Sequence, residues 1–459
     1  MYNINFKTPL NIHFIGIGGI SMSSLAEILI HEGFTVSGSD ANESNLTSKL
    51  RSLGATIFIG QSANNLTRAT SIVIYTAAIH EDNPELCKAK ELGLPLLSRA
   101  ELLGQMMANY SQSVAVAGTH GKTTTTSMIS QILIEGQTDP TISIGGILNL
   151  INDNTRIGNS DIFVIEACEY SNSFFHFFPR YSVVLNIEED HLDFFKDLAD
   201  IRRSFTHFLS NTNPDGIIVL NGEIPNTAEL LIDTSAPVVT YGFQPSDTYC
   251  GSQVKFEKNQ TTCFHLSIQG EDQGEFCLSM PGLHNVSNAL AAIAVTHTMG
   301  VDLNLIKAAL SHCSGAKRRF EWKGSLKGIT IIDDYAHHPT EINAALSAAK
   351  NMSASRVVCV FQPHTYTRTV SLLKDFALAL SHADIVVLAD IFPARETDTL
   401  GISSDVLRQE LVKLGTEAYY FSTFSEIENF LLTNCINGDL LITMGAGDVV
   451  KIGENLLSQ

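Results

Sequence analysis

Three times along this chain, a short apolar run is followed by a turn and then by a helical pattern. The apolar runs lie at residues 12–17, 113–117 and 329–333, and glycines fill the first two turns. A strand, a turn and a helix in this order form the repeating unit of a parallel α/β sheet, whose ligands bind at the carboxyl ends of the strands. The pattern therefore predicts an α/β protein with mostly parallel sheets.

The length of 459 residues exceeds what one hydrophobic core usually organises, so we expect two or three domains, and the three apolar runs divide the chain into three. Residues 1–106 are predicted to form a Rossmann-like domain, and residues 315–459 a second one. Residues 107–314 are predicted to form a central domain with a parallel sheet of the P-loop ATPase type. Between residues 237 and 280 the pattern changes to short alternating runs broken by glycine, which predicts a small antiparallel part.

Charge and cysteine content exclude several classes of protein. The chain carries 48 acidic and 29 basic residues, a net charge of −19, whereas binding to nucleic acid or an anionic membrane needs a basic surface. The sequence shows no apolar window of 18 residues and no N-terminal signal core, so we expect a cytoplasmic protein without membrane or nucleic-acid partners. The eight cysteines are scattered without a CxxC pair, which predicts reduced, mostly buried thiols.

The segment 118–126, with the sequence GTHGKTTTT, lies between a predicted strand and a predicted helix. The backbone N–H groups of such a loop wrap phosphate oxygens, a lysine reaches the β- and γ-phosphates, and a hydroxyl binds Mg²⁺. The general phosphate-loop pattern also has a glycine at a position where this chain has Val116. We predict ATP binding here, rather than a tight turn with a surface lysine. The predicted ATP-binding residues of the loop are Gly118, Thr119, His120, Gly121, Lys122, Thr123 and Thr124.

Acidic side chains follow two predicted strands downstream of this loop. Glu166 ends one apolar run and is followed by Glu169. Asp190, His191 and Asp193 come shortly after the next run. Phosphoryl transfer needs a cation to neutralise charge on the γ-phosphate. Oxygen ligands at strand ends beside a phosphate loop are well placed to bind that cation. The sequence predicts Mg²⁺ ligands here, and a histidine would also suit Mn²⁺.

The first turn of the chain contains Gly16, Gly18 and Gly19, and Asp40 lies about twenty residues further on. This arrangement is typical of a dinucleotide-binding turn, but the third glycine of that pattern is replaced by Ser21. We interpret the turn as a site for a nucleotide diphosphate. A redox site for NAD is the alternative.

Three further polar clusters follow predicted strands in the C-terminal third, at 333–341, 361–369 and 445–448. The first two contain histidines and an arginine. A guanidinium can bind a carboxylate through two parallel hydrogen bonds, so these clusters are predicted to bind a substrate carboxylate. The alternative is a histidine pair that only caps the helix beginning near Pro339.

Six motifs, in the order of the family, make the chain resemble the Mur ligases along essentially its whole length. They are GTHGKTT at 118–124, Glu166 at a strand end, NIEEDHLD at 186–193, GLHNVSNALAA at 282–292, RRFE at 318–321 and DDYAHHPTE at 333–341. Three more segments resemble the branch of the family that adds L-alanine rather than the branch that recycles murein peptides: GIGGI at 16–20, SGSD at 37–40 and FQPHTYTRT at 361–369. The absence of lysine from 201–209 also fits that branch, because the later Mur ligases carry a carbamylated lysine there.

This resemblance implies a reaction in the synthesis of peptidoglycan precursors. ATP would phosphorylate the lactyl carboxylate of UDP-N-acetylmuramate, and the amine of L-alanine would attack the resulting acyl phosphate. The implied partners are these small molecules, with Mg²⁺ or Mn²⁺, and the implied assembly is a monomer or a weak homodimer. A murein-peptide or folyl-polyglutamate type of ligase and a non-catalytic nucleotide-sugar sensor are the alternatives.

The resemblance also implies roles for individual residues. The implied catalytic residues are Lys122, Glu166, His191, His338 and Arg368. The implied metal ligands are Thr123, Glu166 and His191. Beyond the loop, the implied ATP contacts are His284, Asn285 and Asn288 at the adenine, Arg319 at a phosphate and Asp334 at the ribose. The implied contacts to UDP are Gly16, Gly18, Gly19, Ser39 and Asp40, while His337 and His364 would shape the side of the alanine and the muramoyl group.

The chain departs from the family pattern at four positions. Cys168 stands where related motifs have aspartate, and Thr365 where most have arginine. Ser21 and Ser24 replace common glycines. These departures concern fine contacts and leave the implied reaction unchanged.

Overall fold

The computed structural model describes residues 4–76, 79–192, 194–257, 261–352, 354–394 and 396–458. The chain folds into two compact units. The first unit contains Met1–Gly251, Ser267–Gln273 and Asn288–Leu310. The second contains Ser252–Leu266, Gly274–Ser287 and Ser311–Gln459.

The first unit begins with a parallel sheet in the order β3-β2-β1-β4-β5. Its strands are β1 (Asn11–Ile15), β2 (Thr35–Asp40), β3 (Thr56–Ile59), β4 (Ile72–Tyr75) and β5 (Leu96–Ser98). Its helices are α1 (Ile20–His31), α2 (Asn45–Ser52), α3 (Pro84–Glu91) and α4 (Arg99–Met107), with a 3₁₀ turn at Ala63–Asn65. The central strands β1 and β4 are almost wholly buried, as a parallel sheet covered on both faces requires.

The part of the second sheet that is formed by β6 to β12 runs in the order β8-β7-β9-β6-β10-β11-β12, and its pairs are parallel except for β7 with β8. Its strands are β6 (Gln112–Ala117), β7 (Thr141–Leu148), β8 (Asp153–Arg156), β9 (Ile162–Ala167), β10 (Tyr181–Val184), β11 (Ile217–Asn221) and β12 (Val238–Gly242). Its helices are α5 (Lys122–Glu135), α6 (Leu198–Ser210) and α7 (Thr227–Leu230), with a 3₁₀ segment at Tyr170–His176. One hydrophobic core, from Ile4 to Ala236, runs through both sheets.

Three strands follow where short alternating runs predicted an antiparallel part: β13 (Tyr249–Phe256), β14 (Thr262–Ile268) and β15 (Glu271–Leu278). Two helices come next, α8 (Leu283–Thr298) and α9 (Leu303–Ser311). The prediction that all cysteines are reduced thiols is wrong, because Cys263 in β14 and Cys277 in β15 form a disulfide. Strand pairing brings their Cα atoms to 4.1 Å, and Gly274, with φ of 84° inside β15, is typical of a bulge that changes register. Cysteine spacing carries no information about such a register.

The second unit contains a sheet in the order β16-β17-β21-β18-β19-β20, parallel except for the edge strand β16. Its strands are β16 (Glu321–Leu326), β17 (Ile329–Asp334), β18 (Arg356–Phe361), β19 (Ile385–Leu388), β20 (Glu417–Tyr420) and β21 (Asp439–Met444). Its helices are α10 (Pro339–Lys350), α11 (Tyr366–Ser371), α12 (Leu373–Leu380), α13 (Ser404–Lys413), α14 (Phe424–Asn434) and α15 (Val450–Leu457). Apolar residues on the two faces of this sheet form two separate core clusters. Within the described part of the chain, no helix is both long and apolar enough to span a bilayer.

Candidate active site

The predicted phosphate loop joins β6 to α5 and depends on two glycines with left-handed φ. Gly118 has φ of 150° and Gly121 has φ of 83°. A Cβ atom on Gly118 would lie 2.9 Å from the Cβ of Leu185, and one on Gly121 would lie 2.6 Å from Oδ1 of Asn288. Side chains at either position would therefore displace neighbouring atoms as well as strain the backbone. This explains why glycine stands at both ends of the loop.

The middle of the loop is fixed by the segment that follows β10. The backbone N–H of His120 donates to Oδ1 of Asn186 at 2.7 Å, and the Asn186 amide donates back to the His120 carbonyl at 3.0 Å. The Thr119 hydroxyl accepts from the backbone N–H of Glu188 at 2.9 Å. These hydrogen bonds between protein groups preorganise the loop, so less conformational freedom is lost on binding.

Lys122, the first residue of α5, points back into the loop. Its Nζ donates to the carbonyl of Gly118, to that of Thr119 at 3.2 Å and to Oε2 of Glu169 at 2.9 Å. Burial alone would lower the pKa of Lys122, but the nearby Glu169 carboxylate outweighs it and raises the pKa above its ordinary value. The ammonium therefore stays charged at neutral pH, as binding of a phosphate requires.

Thr123 and Glu166, two predicted metal ligands, are in direct contact. The Thr123 hydroxyl donates to Oε2 of Glu166 at 3.2 Å. The other carboxylate oxygen, Oε1, accepts from the backbone N–H of Gly145 at 2.8 Å, which fixes the orientation of the group. A hydroxyl and a carboxylate held together at the start of a helix match the hard oxygen donors that Mg²⁺ prefers.

The third predicted ligand, His191, lies beside Glu169, the ion-pair partner of Lys122. Its Nε2 is 3.9 Å from Oε1 of Glu169 and 3.8 Å from Oδ2 of Asp190. Its backbone has φ of 53°, a left-handed conformation that is uncommon for histidine. Carboxylates beside an imidazole also suit Mn²⁺. Asp193, also predicted as a ligand, lies outside the described residues.

The N-terminal glycine turn is held by Asp40. Oδ2 of Asp40 accepts from the backbone N–H of Gly18 at 2.8 Å, and the Ser39 carbonyl accepts from Gly16 at 2.8 Å. A Cβ on Gly18 would lie 2.8 Å from the same Asp40 oxygen, so only glycine allows this approach. Gly19 is exposed at the start of α1. Asp40 therefore shapes the turn, whatever it contacts in a ligand.

Ser39, a predicted ligand contact, is fully buried, and its hydroxyl donates to Oε2 of Glu85 at 2.6 Å. Glu85 lies on α3 and is itself fully buried. Asn65 donates to its other oxygen at 2.5 Å, and Nε2 of His13 lies 3.6 Å from Oε2. Burial raises the pKa of Glu85, but the neighbouring His13 ring and the hydrogen bonds from Ser39 and Asn65 outweigh burial and lower the pKa. Glu85 was not predicted from the sequence, because a lone glutamate in an amphipathic helix carries no motif.

In the second unit, Asp334 ends β17 with its carboxylate buried. It accepts hydrogen bonds from the backbone N–H groups of Phe320 at 2.8 Å and Ala336 at 2.7 Å. Burial raises the pKa of Asp334 to about 7, against the opposing effect of Arg319. This group is therefore partly protonated near neutral pH and can act as either donor or acceptor.

The two arginines of the RRFE segment stack on Tyr335. The guanidinium carbon of Arg318 lies 4.9 Å from the ring centroid, and that of Arg319 lies 5.3 Å from it. Arg318 also donates to Oδ2 of Asp333 at 3.0 Å, so it is held as a structural group. Nη1 of Arg319 lies 3.9 Å from Oε1 of Glu341, a distance that fits an ion pair but is too long for a hydrogen bond.

The histidine and arginine clusters of this unit come together. The rings of His337 and His364 are 5.8 Å apart, and Nη1 of Arg368 lies 3.3 Å from Nδ1 of His364. His338 is buried at the start of α10, where its Nδ1 accepts from the backbone N–H of Thr340 at 3.4 Å. His338 therefore caps helix α10, as the alternative for the histidine pair predicted. His337, His364 and Arg368 form a polar cluster.

The GLHNVSNALAA segment at 282–292 is divided between the two units, because its first six residues belong to the second unit and the rest to the first. His284 is exposed and Asn285 is buried, and both belong to the second unit. The Asn285 amide donates to the carbonyl of Pro281 at 2.7 Å, so it fixes the start of α8. Asn288 belongs to the first unit and contacts the loop at Gly121 as described above.

Three family models match consecutive parts of the chain. The model described as Mur ligase family, catalytic domain, matches residues 11–111. The Mur ligase middle domain matches residues 116–296, and the Mur ligase, glutamate ligase domain, matches residues 318–447.

The chain is similar over its whole length to proteins of known name. The UDP-N-acetylmuramate–L-alanine ligase of Agathobacter rectalis is 56% identical over 459 residues, which cover 100% of both chains. That of Clostridium kluyveri is 46% identical over 457 residues, again covering 100% of both.

Two solved structures show the same fold. The UDP-N-acetylmuramate-alanine ligase of Thermotoga maritima is 32% identical, with 98% of each chain covered and a TM-score of 0.81. A murein peptide ligase of Psychrobacter arcticus is 27% identical, with 98% of each covered and a TM-score of 0.71. The predicted fold class is confirmed: three α/β domains, with a central, mainly parallel sheet that has a small antiparallel part.

Proposed function

The chain belongs to the Mur ligase family, and we propose that it is an ATP-dependent amide ligase of peptidoglycan precursor synthesis. It joins L-alanine to the lactyl carboxylate of UDP-N-acetylmuramate, releasing ADP and phosphate. The observation that carries the proposal is the arrangement at the phosphate loop, where Lys122 donates to Gly118 and Glu169 and the neighbouring Thr123 donates to Glu166. It occurs in a chain that aligns end to end with ligases of that name.

The chemistry explains the need for ATP. A carboxylate does not accept an amine at neutral pH, because its negative charge repels the nucleophile and it has no good leaving group. Transfer of the γ-phosphoryl group to the lactyl carboxylate gives an acyl phosphate and ADP. The amine of L-alanine then attacks the acyl carbon, a proton is lost from nitrogen, and phosphate leaves from the tetrahedral intermediate.

Lys122 and the loop supply the electrostatic part of this catalysis. The Lys122 ammonium now neutralises Glu169, and it is within reach of the phosphates that the loop N–H groups would bind. Charge that develops on the transferred phosphoryl oxygens is stabilised by donors already held in place. Exchange of the Glu169 contact for a phosphate contact leaves the lysine charged throughout.

Thr123, Glu166 and His191 would hold the divalent cations of the reaction, Mg²⁺ or Mn²⁺. A cation bound there supplies positive charge to the phosphate oxygens and the developing intermediate. The fixed carboxylate of Glu166, with one oxygen bonded to Gly145 and the other facing Thr123, is the donor best oriented for this role.

The remaining roles are assigned by segment. The glycine turn at Gly16–Gly19, with Ser39 and Asp40, binds the UDP part of the substrate. His284, Asn285, Asn288, Arg319 and Asp334 bind ATP beyond its phosphates, while His337, His338, His364 and Arg368 serve the amino acid and the reacting centre. Ser39 would act by shaping the turn, because its hydroxyl donates to Glu85 and its carbonyl accepts from Gly16. The three domains are 1–106, 107–314 and 315–459, and the protein acts in the cytoplasm as a monomer or a weak homodimer.

Phosphate release with UDP-N-acetylmuramate and ATP tests the proposal across a panel of L-alanine, glycine, L-serine and the tripeptide L-alanyl-γ-D-glutamyl-meso-diaminopimelate. The expected result is turnover with L-alanine at the lowest concentration. A preference for the tripeptide, which is part of the name of a related Neisseria ligase, would instead assign the chain to peptide recycling. Binding of both nucleotides without phosphate release would indicate a sensor.

A further inference from the structure

The disulfide Cys263–Cys277 lies on the more polar face of the β14–β15 hairpin. The opposite face is apolar: Phe264 and Phe276 are buried, and their rings stack at 6.0 Å. Side chains alternate across a strand, so Cys263 and Cys277 share the other face with Glu275. Glu275 is exposed, and Cys277 is only half-buried. A small thiol or thiolate can therefore approach the Cys277 sulfur from solvent.

The hairpin holds the two thiols together whether or not they are bonded. The backbone separation of 4.1 Å between the Cα atoms is close to that of residues directly opposed on neighbouring antiparallel strands. The residues are only 14 apart in sequence, and Gln269 and Gly270 make the turn with φ of 51° and 83°. Since strand pairing provides the proximity, reduction would leave two adjacent thiols ready to bond again.

The hairpin leads directly into the segment assigned to ATP. β15 ends at Leu278, and α8 begins at Leu283 with His284 and Asn285 in its first turn. The connection is anchored by the hydroxyl of Ser279, which donates to the Ser311 carbonyl at 2.5 Å. A bond that fixes Cys277 therefore restrains the chain shortly before Leu283.

We propose that Cys263 and Cys277 form a reversible redox site, and that their bond tightens the hold on the start of α8 and so strengthens ATP binding. Oxidation proceeds by thiol–disulfide exchange with a low-molecular-weight disulfide. One protein thiolate attacks it and releases one small thiol, and the second protein thiolate displaces the other. Two protein thiols thus become one disulfide, while one small disulfide becomes two small thiols; a dithiol reductant reverses this. The effect on ATP rests on the proposed function, whereas the redox chemistry does not.

The redox part is tested on the full chain in buffers of reduced and oxidised glutathione, without denaturant. Alkylation, unfolding and peptide mass spectrometry then count the bonded fraction of the pair. We expect that fraction to rise from near zero to near one as the buffer becomes more oxidising, while the exposed Cys87 provides the reference for an accessible thiol. A pair that stays alkylated like Cys87 in every buffer, or that stays bonded in every native buffer, would refute reversibility.

The coupling is tested by calorimetry of ATP binding to the oxidised protein, the reduced protein and the double variant Cys263→Ser with Cys277→Ser. The oxidised protein should bind ATP about threefold more tightly than the other two, because a restrained segment loses less conformational freedom on binding. Cys87→Ser is the matched control and should leave the difference intact. Equal affinity in both redox states would refute the coupling. Absence of ATP binding in both states would refute the proposed function as well, but the mass-spectrometric result would still stand.

Discussion

The buried carboxyl of Asp334 should make the stability of the second unit fall as pH rises. Its pKa is about 7 in the folded protein, against 3.8 for an unperturbed aspartate, because burial disfavours the charged form. A group with a raised folded pKa binds a proton more tightly when folded. Its contribution is therefore fully present below pH 4 and is lost as pH rises through 7. Between pH 5 and pH 8.5 the loss amounts to about 2–3 kcal/mol.

Asp334→Asn removes this titration. The variant should be less stable than the parent at pH 5 by about 1–3 kcal/mol, because the amide cannot accept from both Phe320 and Ala336. Between pH 5 and pH 8.5 the free energy of unfolding of the variant should rise relative to that of the parent by about 2–3 kcal/mol, since the parent then carries a buried charge that the variant lacks. Guanidinium denaturation followed by the fluorescence of Trp322 gives both differences. Trp322 is the single tryptophan and lies on β16, next to β17.

Asp439→Asn is the matched control. Asp439 is also buried, but it receives hydrogen bonds from Arg356 at 2.7 Å and 3.0 Å, and these outweigh burial and lower its pKa. Its contribution is complete above pH 4, so the cost of this variant should be the same at pH 5 and pH 8.5. A deficit of Asp334→Asn that also stays constant between the two pH values would show that the Asp334 carboxyl is ionised throughout, and the reasoning would fail.

Three further perturbations test the proposed active site. Lys122→Ala should lower kcat/KM about 100-fold or more with the fold retained, as phosphate-release kinetics and circular dichroism would show, because about 3 kcal/mol of transition-state stabilisation is lost. Glu166→Gln should raise the concentration of Mg²⁺ needed for half-maximal activity; a metal titration matching that of the parent would make Glu166 a turn residue only. Arg368→Lys should raise the KM for L-alanine while the Kd for UDP-N-acetylmuramate, measured by calorimetry, barely changes. Asp40→Ala should raise the Kd for UDP-N-acetylmuramate and barely change the KM for L-alanine, because the Gly18 N–H loses its acceptor. An equal rise of this Kd in both variants would contradict the assignment of the two substrates to different residues.

The sequence alone determined the strand-turn-helix order and the ends of many elements. The apolar runs at 113–117 and 329–333 are observed in the strands Gln112–Ala117 and Ile329–Asp334, and the helix expected near Pro339 begins at that residue. Such features are local, because a buried strand needs a continuous run of apolar residues and a proline has no N–H to donate inside a helix. The glycines of the phosphate loop could also be predicted to lie in a turn, since glycine adopts a left-handed φ without strain.

Which distant groups meet depends on how the strands and helices pack together. Asn186 fixes His120 across 66 residues, and Ser39 donates its hydroxyl proton to Glu85 rather than to solvent. The disulfide depends in the same way on how β14 pairs with β15. Each of these contacts is set by strand register or helix packing over long sequence separations. Residue type and local periodicity leave such geometry open, so it becomes fixed only when the sheets assemble.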